Sequence, residues 1–169
     1  MKIIIFGHTG SGKTTQAKYI ARLLKLKHIE AGAILRKIAK KNKFIRKIIN
    51  QGKLVPDNIT IKIMEKELKN RKNFILDGYP RTLKQARALK FKPDLVIYLK
   101  TSKNNIVKRL FLRKRSDDTK KSIEKRYDLY LKRTLPVINY YKKMKNFKEI
   151  NGNPSIKKVS ESIKKVLDI

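Results

Sequence analysis

The chain has 169 residues, about the length of one globular domain, and its 45 lysines and arginines against 13 acidic residues give a net charge of +32. Apolar residues make up 40% of the chain, enough for one core, and the absence of cysteine excludes disulfides and thiolate metal sites. The longest apolar run, Ile3 to Phe6, is far shorter than the ~20 residues of a membrane span. No signal-peptide pattern precedes that run, so we expect a cytoplasmic protein without a membrane partner.

The positive charge has two interpretations. One is nucleic-acid binding, because neutralising phosphates releases counterions. The other is a compositional bias that fills solvated faces with lysine: 34 of the 45 cations are lysine, they are spread along the whole chain, and isoleucine is abundant at 22 residues. Composition favours the second interpretation and makes the positions of the 11 arginines informative.

The first half of the chain alternates strand and helix patterns. Lys2–Phe6 is a β-branched run that predicts a buried strand, and residues 13–25 carry apolar positions at helical spacing. The segment 30–55 contains short helical pieces and is predicted to be an insertion. A helix over Asp57–Lys69 and a strand over Asn73–Leu76 follow.

The second half continues the alternation and ends in a helix. Its predicted elements are a strand at Asp94–Leu99, a helix at Ser102–Leu112, a long helix at Ser122–Lys145, a strand at Phe147–Ile150 and a helix at Pro154–Leu167. Pro136 should kink or divide the long helix. Alternating strands and helices predict an α/β fold, in one domain over residues 1–169, with a parallel sheet covered on both faces.

Residues Gly7 to Thr14 match the phosphate-loop pattern G-x-x-x-x-G-K-[ST] between a predicted strand and a predicted helix. Glycines allow the backbone N–H groups to turn inward around an anion, and the helix start adds its positive dipole end. Lys13 can reach the β- and γ-phosphates of a nucleotide and the Thr14 hydroxyl can ligate Mg²⁺, while His8 is expected to point outward. The residues expected to contact the triphosphate are Gly10, Ser11, Gly12, Lys13, Thr14 and Thr15.

The arginines cluster near one end of the predicted helix Ser102–Leu112. Arg109 and Arg113 lie one turn apart, and Arg115 and Arg126 follow closely. A guanidinium offers a planar two-pronged clamp for phosphate oxygens, which phosphoryl transfer requires. Their positions alone leave open whether these arginines clamp a phosphate or face solvent.

Several motifs then occur in order along the chain. They are Gly7–Thr15, Gly32 to Arg36, Gly52 to Pro56, Leu76 to Thr82 with Gln85, Arg109 with Arg113, the run Arg115 to Asp118, Arg126, and Asn151-Gly152. In order and spacing the chain resembles the nucleoside monophosphate kinases, and among them most the adenylate kinases. The resemblance covers essentially the whole chain and implies a three-layer P-loop NTPase fold with about five parallel strands.

The resemblance also implies a function for each motif. A flap at about 30–55 would hold the monophosphate, and a lid at about 113–118 would close over ATP, where Asp117 and Asp118 would pair with arginines. The implied catalytic residues are Lys13, Arg81, Arg109, Arg115 and Arg126. Arg109 and Arg113 would contact ATP, Arg109 near the adenine ring, and Asp77 would hold Mg²⁺ through water beside Thr14. The implied substrate-binding residues are Ala31, Arg36, Lys53, Leu54, Val55, Gly78, Tyr79, Pro80, Arg81, Gln85, Arg115 and Arg126.

The acceptor base is the first point where the chain departs from the adenylate kinase pattern. Ala31-Gly32-Ala33 replaces a Thr followed by Gly-Asp, so one polar contact to the base is missing, and Ala at the first position is typical of pyrimidine monophosphate kinases. Thr82 and Gln85, however, have the adenylate form, and a Gln amide pairs its donor and acceptor with the adenine edge. We therefore expect AMP, with UMP or CMP as the alternative acceptor.

The lid is the second departure, because only Lys114 separates Arg113 from Arg115. Without cysteine, and with only two histidines, no zinc-bearing lid is expected. A stunted lid should exclude water poorly and raise ATP hydrolysis.

A rival from another class is an RNA-associated NTPase. It is disfavoured because the tyrosines 127, 130, 140 and 141 have helical spacing typical of a core rather than of a stacking surface. We expect a monomer with no obligate protein partner and only non-specific nucleic-acid binding.

Overall fold

The strands form one parallel sheet whose centre is the first strand of the chain. The computed structural model describes residues 1–113 and 119–169, except for the side chain of Arg113. Within those residues the strands are β1 (Lys2–Phe6), β2 (Lys27–Glu30), β3 (Phe74–Asp77), β4 (Leu95–Lys100) and β5 (Phe147–Asn151). Their order is β2-β3-β1-β4-β5, with every neighbouring pair parallel. The predicted α/β fold with about five parallel strands is confirmed.

Helices cover both faces of this sheet. They are α1 (Lys13–Leu23), α2 (Ala31–Ala39), α3 (Lys43–Asn50), α4 (Asp57–Leu68), α5 (Leu83–Arg87), α6 (Lys103–Arg113), α7 (Lys120–Leu129), α8 (Leu135–Lys142) and α9 (Ile156–Val166), with a π-helical segment, Tyr130–Thr134, between α7 and α8. None of the helices described is long and apolar enough to cross a membrane.

The alternation of side chains along β1 divides the core into two layers. Ile4 and Phe6 pack into an apolar cluster with residues of α4 and α8, whereas Ile3 and Ile5 pack with α1 and α9. All four side chains are at most 3% exposed. Because β1 is buried on both faces, its carboxyl end is held rigidly at the middle of the sheet edge, where the phosphate loop begins.

Two elements lack a signal in the sequence. The edge strand β2 has the sequence Lys-His-Ile-Glu and buries only Ile29, so it shows no apolar run and was not predicted. The five-residue helix α5 is too short for a periodic pattern, and its buried residues are Gln85 and Ala86. Both elements carry side chains that face the site described below.

The predicted long helix over Ser122–Lys145 is divided just before Pro136. Proline has no N–H, and its ring collides with the carbonyl four residues earlier, which here is Lys132 in the π-helical segment. The wider turn of a π-helix accommodates such an interruption. The segment also places Thr134 so that its hydroxyl donates to the Arg81 carbonyl at 3.2 Å.

The segment 30–55 folds as a helix pair with its own apolar contacts. Ala39, Ile45 and Val55 form a small buried cluster, and the Asn42 side chain caps α3 by accepting from the Ile45 N–H. Gly52 follows α3 with φ of 66°, and a Cβ there would lie 3.5 Å from the Ser122 carbonyl of α7. The helix pair therefore contacts α7 at the carboxyl edge of the sheet. The division into a flap at 30–55 and a lid at 113–118 stays a prediction, and most of the predicted lid lies outside the described residues.

Candidate functional site

The phosphate loop connects β1 to the amino end of α1. Gly10 and Gly12 have φ of 91° and 93°, values that favour glycine, and Gly12 is the N-cap of α1. A Cβ on Gly10 would lie 2.8 Å from Cγ of Leu110, so the missing side chain lets α6 pack directly on the loop. Ser11 is buried, and its Oγ accepts from the Lys13 N–H at 3.4 Å. The loop thus aims the start of α1 at an open space, as an anion cradle requires.

Asp77, at the carboxyl end of β3, gathers three polar groups. The Thr14 hydroxyl donates to Oδ2 at 2.6 Å, His28 Nε2 of β2 lies 3.4 Å from the same oxygen, and Lys13 Nζ lies 3.9 Å from Oδ1. Burial by itself raises the pKa of Asp77, but the Lys13 charge and the hydrogen bonds from His28 and Thr14 outweigh it and lower that pKa below 3.8. Oδ1 is buried and has no hydrogen-bond partner among the described residues.

This arrangement of oxygens fits the predicted magnesium site. A hydroxyl and an ionised carboxylate are the ligands that Mg²⁺ prefers, and an acceptor oxygen without a donor can accept from a metal-bound water. No cluster of three or more histidine, cysteine or acidic side chains that could hold a metal occurs in the part of the chain described. Mg²⁺ would therefore be held mainly by nucleotide phosphates, with Thr14 and Asp77 assisting.

His8 is buried, which corrects the expectation that it points outward. Its ring is 3% exposed and packs against Tyr127 and Tyr130, with centroid distances of 5.3 and 5.1 Å. Its Nδ1–H donates to the Thr9 carbonyl, and Nε2 is buried without a hydrogen-bond partner among the described residues. Burial, together with the charges of Lys13 and Arg81, lowers the pKa of His8 to about 4. His8 is therefore neutral at physiological pH and attaches the loop to α7.

The other tyrosines predicted to be core differ in burial. Tyr141 is 3% exposed, whereas Tyr140, the next residue, is 44% exposed. The expectation of a core position is thus wrong for Tyr140, since helical spacing puts adjacent residues on different faces.

Three arginines line one cavity together with Lys13 of the loop. Arg36, Arg81 and Arg126 line the same cavity as Lys13 and the carboxyl end of β1. Burial lowers the pKa of Arg81, and the charges of Arg36 and Arg126 lower it further, while Asp77 opposes the effect. The arginines are thus close enough to repel one another, which an anion in the cavity would relieve.

Each of these arginines is aimed by a local contact. Arg36 donates from a terminal nitrogen to Glu30 Oε1 at 2.7 Å, and Arg81 donates from Nε to the Gly78 carbonyl at 2.8 Å. Gly78 has φ of 76°, and a Cβ there would lie 3.2 Å from the Arg81 guanidinium. Arg126 contacts the Ser122 carbonyl and hydroxyl, both at 3.2 Å. At Arg36 and Arg81 these contacts leave further guanidinium donors for phosphate oxygens.

Of the other predicted acceptor residues that the structure describes, all but Tyr79 line the same cavity. Ala31, Lys53, Leu54, Val55, Gly78, Pro80 and Gln85 are among the lining residues. Tyr79 is 3% exposed and packs in the core behind them. Gln85 is 2% exposed, and its amide accepts from the Arg81 N–H and donates to Asp57.

Arg109 does not line this cavity. Its two terminal nitrogens donate to four backbone carbonyls: Ser11 at 3.1 Å, Gly152 at 2.8 Å, Asn153 at 2.9 Å and Pro154 at 3.1 Å. The side chain therefore braces the phosphate loop against the β5–α9 connection, a role that the sequence did not reveal. Thr15 is exposed on the first turn of α1. Arg115, Asp117, Asp118 and the side chain of Arg113 lie outside the described residues, so their predicted roles stay predictions.

A comparison with protein families gives one match over most of the chain. The family model described as adenylate kinase matches residues 5–146. Among curated proteins, the adenylate kinase of Prochlorococcus marinus (strain MIT 9301) is 38% identical over 96% of this chain and 96% of the relative. The adenylate kinase of Buchnera aphidicola subsp. Cinara cedri (strain Cc) is 37% identical over 96% of this chain and 95% of the relative.

A relative with a different name is somewhat less similar. UMP-CMP kinase 1 of Oryza sativa subsp. japonica is 31% identical over 97% of this chain and 72% of that protein. The chain is therefore similar over nearly its whole length to kinases that are named for different acceptors.

Proposed function

Because the chain belongs to the adenylate kinase family, we propose that it transfers the γ-phosphoryl group of ATP to a nucleoside monophosphate, and that this acceptor is AMP. An oxygen of the AMP phosphate attacks the γ-phosphorus in line, and the bond from that phosphorus to the β,γ-bridging oxygen breaks. The products are two molecules of ADP. Little covalent chemistry is required of the protein, which has to position the two phosphates and stabilise charge.

One observation carries this proposal: a single cavity is lined by Lys13 of the phosphate loop and by Arg36, Arg81 and Arg126. The triphosphate of ATP would lie along the loop and α1, with Lys13 at its β- and γ-phosphates. The three arginines would hold the acceptor phosphate and meet the transferred group from the other side. Arg115 and Arg113 are proposed to add charge from the lid.

The acceptor base is proposed to bind beside Gln85. Gln85 lines the cavity together with Val55, which is 4% exposed, and Ala31, which is 2% exposed. Apolar walls with one amide suit a flat base that is read on one edge. The backbone from Lys53 to Val55 would form the wall of this pocket. A Gln amide pairs with the N6–H and N1 of adenine, which favours AMP.

Mg²⁺ is proposed to bind with ATP beside Thr14 and Asp77. When bound, it would neutralise charge on the phosphates and stabilise the charge that develops during transfer. Lys13 is held in place by its ion pair with Asp77, at 3.9 Å. Thr15 is proposed to contact the α-phosphate side of the nucleotide.

The adenine of ATP is proposed to lie against Arg109. All four hydrogen bonds of this guanidinium to carbonyls leave from its terminal nitrogens and lie near its plane. The flat faces of the group are therefore the part left for a base, and guanidinium faces stack well on aromatic rings. Arg109 would thus support both the loop and the nucleotide.

An acceptor panel tests the proposal. With ATP and Mg²⁺, phosphoryl transfer is measured to AMP, CMP and UMP, and AMP is expected to give the highest kcat/KM. Arg81→Ala is expected to lower kcat/KM by about 10²–10³, the usual effect of removing one charge-stabilising group. Arg87→Ala removes an exposed arginine from helix α5, which follows Arg81, and as the matched control it should have little effect.

Two outcomes would contradict the proposal. A clear preference for CMP or UMP would refute the choice of acceptor while leaving the reaction class in place. An absence of transfer to all three acceptors, combined with salt-dependent binding of RNA, would favour the RNA-associated NTPase.

A further inference from the structure

The amide of Gln85 is fixed in one orientation by two partners of opposite kind. The Arg81 backbone N–H donates to Gln85 Oε1 at 2.7 Å, and Gln85 Nε2–H donates to Asp57 Oδ1 at 2.8 Å. A backbone N–H can only donate and an ionised carboxylate can only accept. Turning the amide by 180° would place N–H against N–H and oxygen against oxygen, and both hydrogen bonds would be lost.

The Thr82 hydroxyl is a second donor to the Asp57 carboxylate. It donates to the same Oδ1 at 3.0 Å, because its oxygen already accepts from the Gln85 N–H at 3.2 Å as the cap of α5. Thr82 is 7% exposed and Gln85 is 2% exposed, so water cannot readily replace lost partners. Asp57, in the first turn of α4, thus sets the direction of the hydrogen bonds in this buried network.

Gln85 is one of the residues that line the cavity, and its amide has hydrogen-bonding capacity beyond these two contacts. Nε2 has two hydrogens and Oε1 has two lone pairs, and the internal contacts use one of each. A base beside Gln85 in the cavity would therefore meet one donor and one acceptor in a fixed order. With Oε1 beside the exocyclic group and Nε2 beside N1, that order matches adenine, whose N1 accepts and whose N6 donates, and it opposes hypoxanthine, whose N1–H donates and whose O6 accepts.

We propose that Asp57 is a specificity-determining residue that, by locking the Gln85 amide, makes the acceptor site select bases with an exocyclic amino group over those with a carbonyl at the same position. This inference rests on the proposed function for the location of the acceptor base. Cytosine, with N3 accepting and N4 donating, fits the locked amide, whereas uracil does not. A kinase that accepts both UMP and CMP needs a base reader that can turn, so the lock also disfavours the pyrimidine alternative.

Comparing the affinities for AMP and IMP tests the fixed orientation of the Gln85 amide, because the two nucleotides have the same shape and differ at the edge that Gln85 reads. Isothermal titration is carried out with saturating β,γ-imido-ATP, which occupies the donor site and cannot transfer its γ-phosphoryl group. The wild-type protein is expected to bind AMP at least about 10²-fold more tightly than IMP, since two hydrogen bonds are mismatched and each is worth about tenfold.

Asp57→Asn is the informative variant. The Asn amide has the shape of the carboxylate but can donate, so turning Gln85 then costs only the bond to the Arg81 N–H. The IMP-to-AMP ratio of dissociation constants is expected to shrink about tenfold. Asp168→Asn, which removes the same charge from an exposed position near the carboxyl end of the chain, should leave the ratio unchanged. Gln85→Met removes the reader and should abolish the preference.

The outcomes separate the lock from the proposed function. If the ratio of the IMP and AMP dissociation constants for Asp57→Asn lies within about twofold of the wild-type ratio, the proposal that Asp57 locks the amide is overturned. If that variant does not fold, the wild-type protein still decides, because equal binding of AMP and IMP, or tighter binding of UMP than CMP, overturns it as well. Failure to phosphorylate AMP despite selective binding would instead refute the proposed function and support the lock.

Discussion

The buried His8 predicts a loss of stability in mild acid. Its pKa is lowered from 6.5 to about 4, mainly by burial against Tyr127 and Tyr130. Because the unfolded chain binds the proton more readily, the contribution of neutral His8 is complete above about pH 6.5 and is lost as the pH falls towards about 4. At about 1.4 kcal/mol per pKa unit, the loss approaches about 3 kcal/mol. The physical reason is that burial removes water from the protonated ring, and the charges of Lys13 and Arg81 repel it further.

Urea unfolding followed by circular dichroism measures this effect in the wild-type protein and in His8→Phe. The phenylalanine ring keeps the contacts with both tyrosines but does not titrate. The variant also lacks the hydrogen bond from His8 to the Thr9 carbonyl, and this loss lowers stability similarly at every pH. The difference in unfolding free energy between the two proteins should therefore change by about 2–3 kcal/mol between about pH 7 and about pH 4.5. His28 is present in both proteins and cancels. A difference that stays constant across this range would refute the reasoning.

Three further predictions concern the donor side of the site. Gly10→Ala should lower stability by about 1–3 kcal/mol and weaken ATP binding, measured by thermal unfolding and KM, because its Cβ would lie 2.8 Å from Leu110 Cγ at a φ of 91°. Arg109→Met should cost on the order of 2–3 kcal/mol in urea unfolding and raise the KM for ATP more than that for AMP; an equal effect on both would contradict its place beside the donor. The short lid predicted at 113–118 should allow ATP hydrolysis without an acceptor, and negligible ADP release in the absence of AMP would contradict that prediction.

The parts of the fold that the sequence predicts are those with a strong local signal. The strand β1 is a β-branched run that ends at a glycine, and α1 and α4 repeat their apolar residues at helical spacing. The phosphate loop has a motif whose glycines and lysine follow directly from the chemistry of anion binding. Pro136 predicts a break because its effect on a helix depends only on neighbouring residues.

The features that the sequence does not predict arise from contacts between distant segments. The burial of His8 depends on α7, which begins more than a hundred residues later, and the bonds of Arg109 to the β5–α9 connection span about 44 residues. The bond between Gln85 and Asp57 spans 28 residues. The residue types gave no warning, since glutamine and aspartate are common at the start of short helices. Only the fold reveals the two partners of the Gln85 amide: the Arg81 N–H, which can only donate, and the Asp57 carboxylate, which can only accept.

The lysines and arginines that give the chain its net charge of +32 differ in how exposed they are. Every lysine in the described residues is exposed except Lys2 and Lys13, and Lys13 belongs to the phosphate loop. Among the described arginines, those that are not exposed are Arg36, Arg81, Arg109 and Arg126, which are four of the arginines that the motifs single out.

A physical difference between the two cations explains this arrangement. A guanidinium is weakly hydrated and stays charged even where burial lowers its pKa, as at Arg81, and its plane can contact several oxygens at once. An ammonium is strongly hydrated, so lysine remains at the surface unless a carboxylate such as Asp77 accompanies it. The surface lysines would raise the local concentration of any polyanion, which is why net charge alone cannot separate RNA from nucleotides as a ligand. The arginines bear on that choice, because Arg36, Arg81 and Arg126 line one cavity together with Lys13 of the phosphate loop.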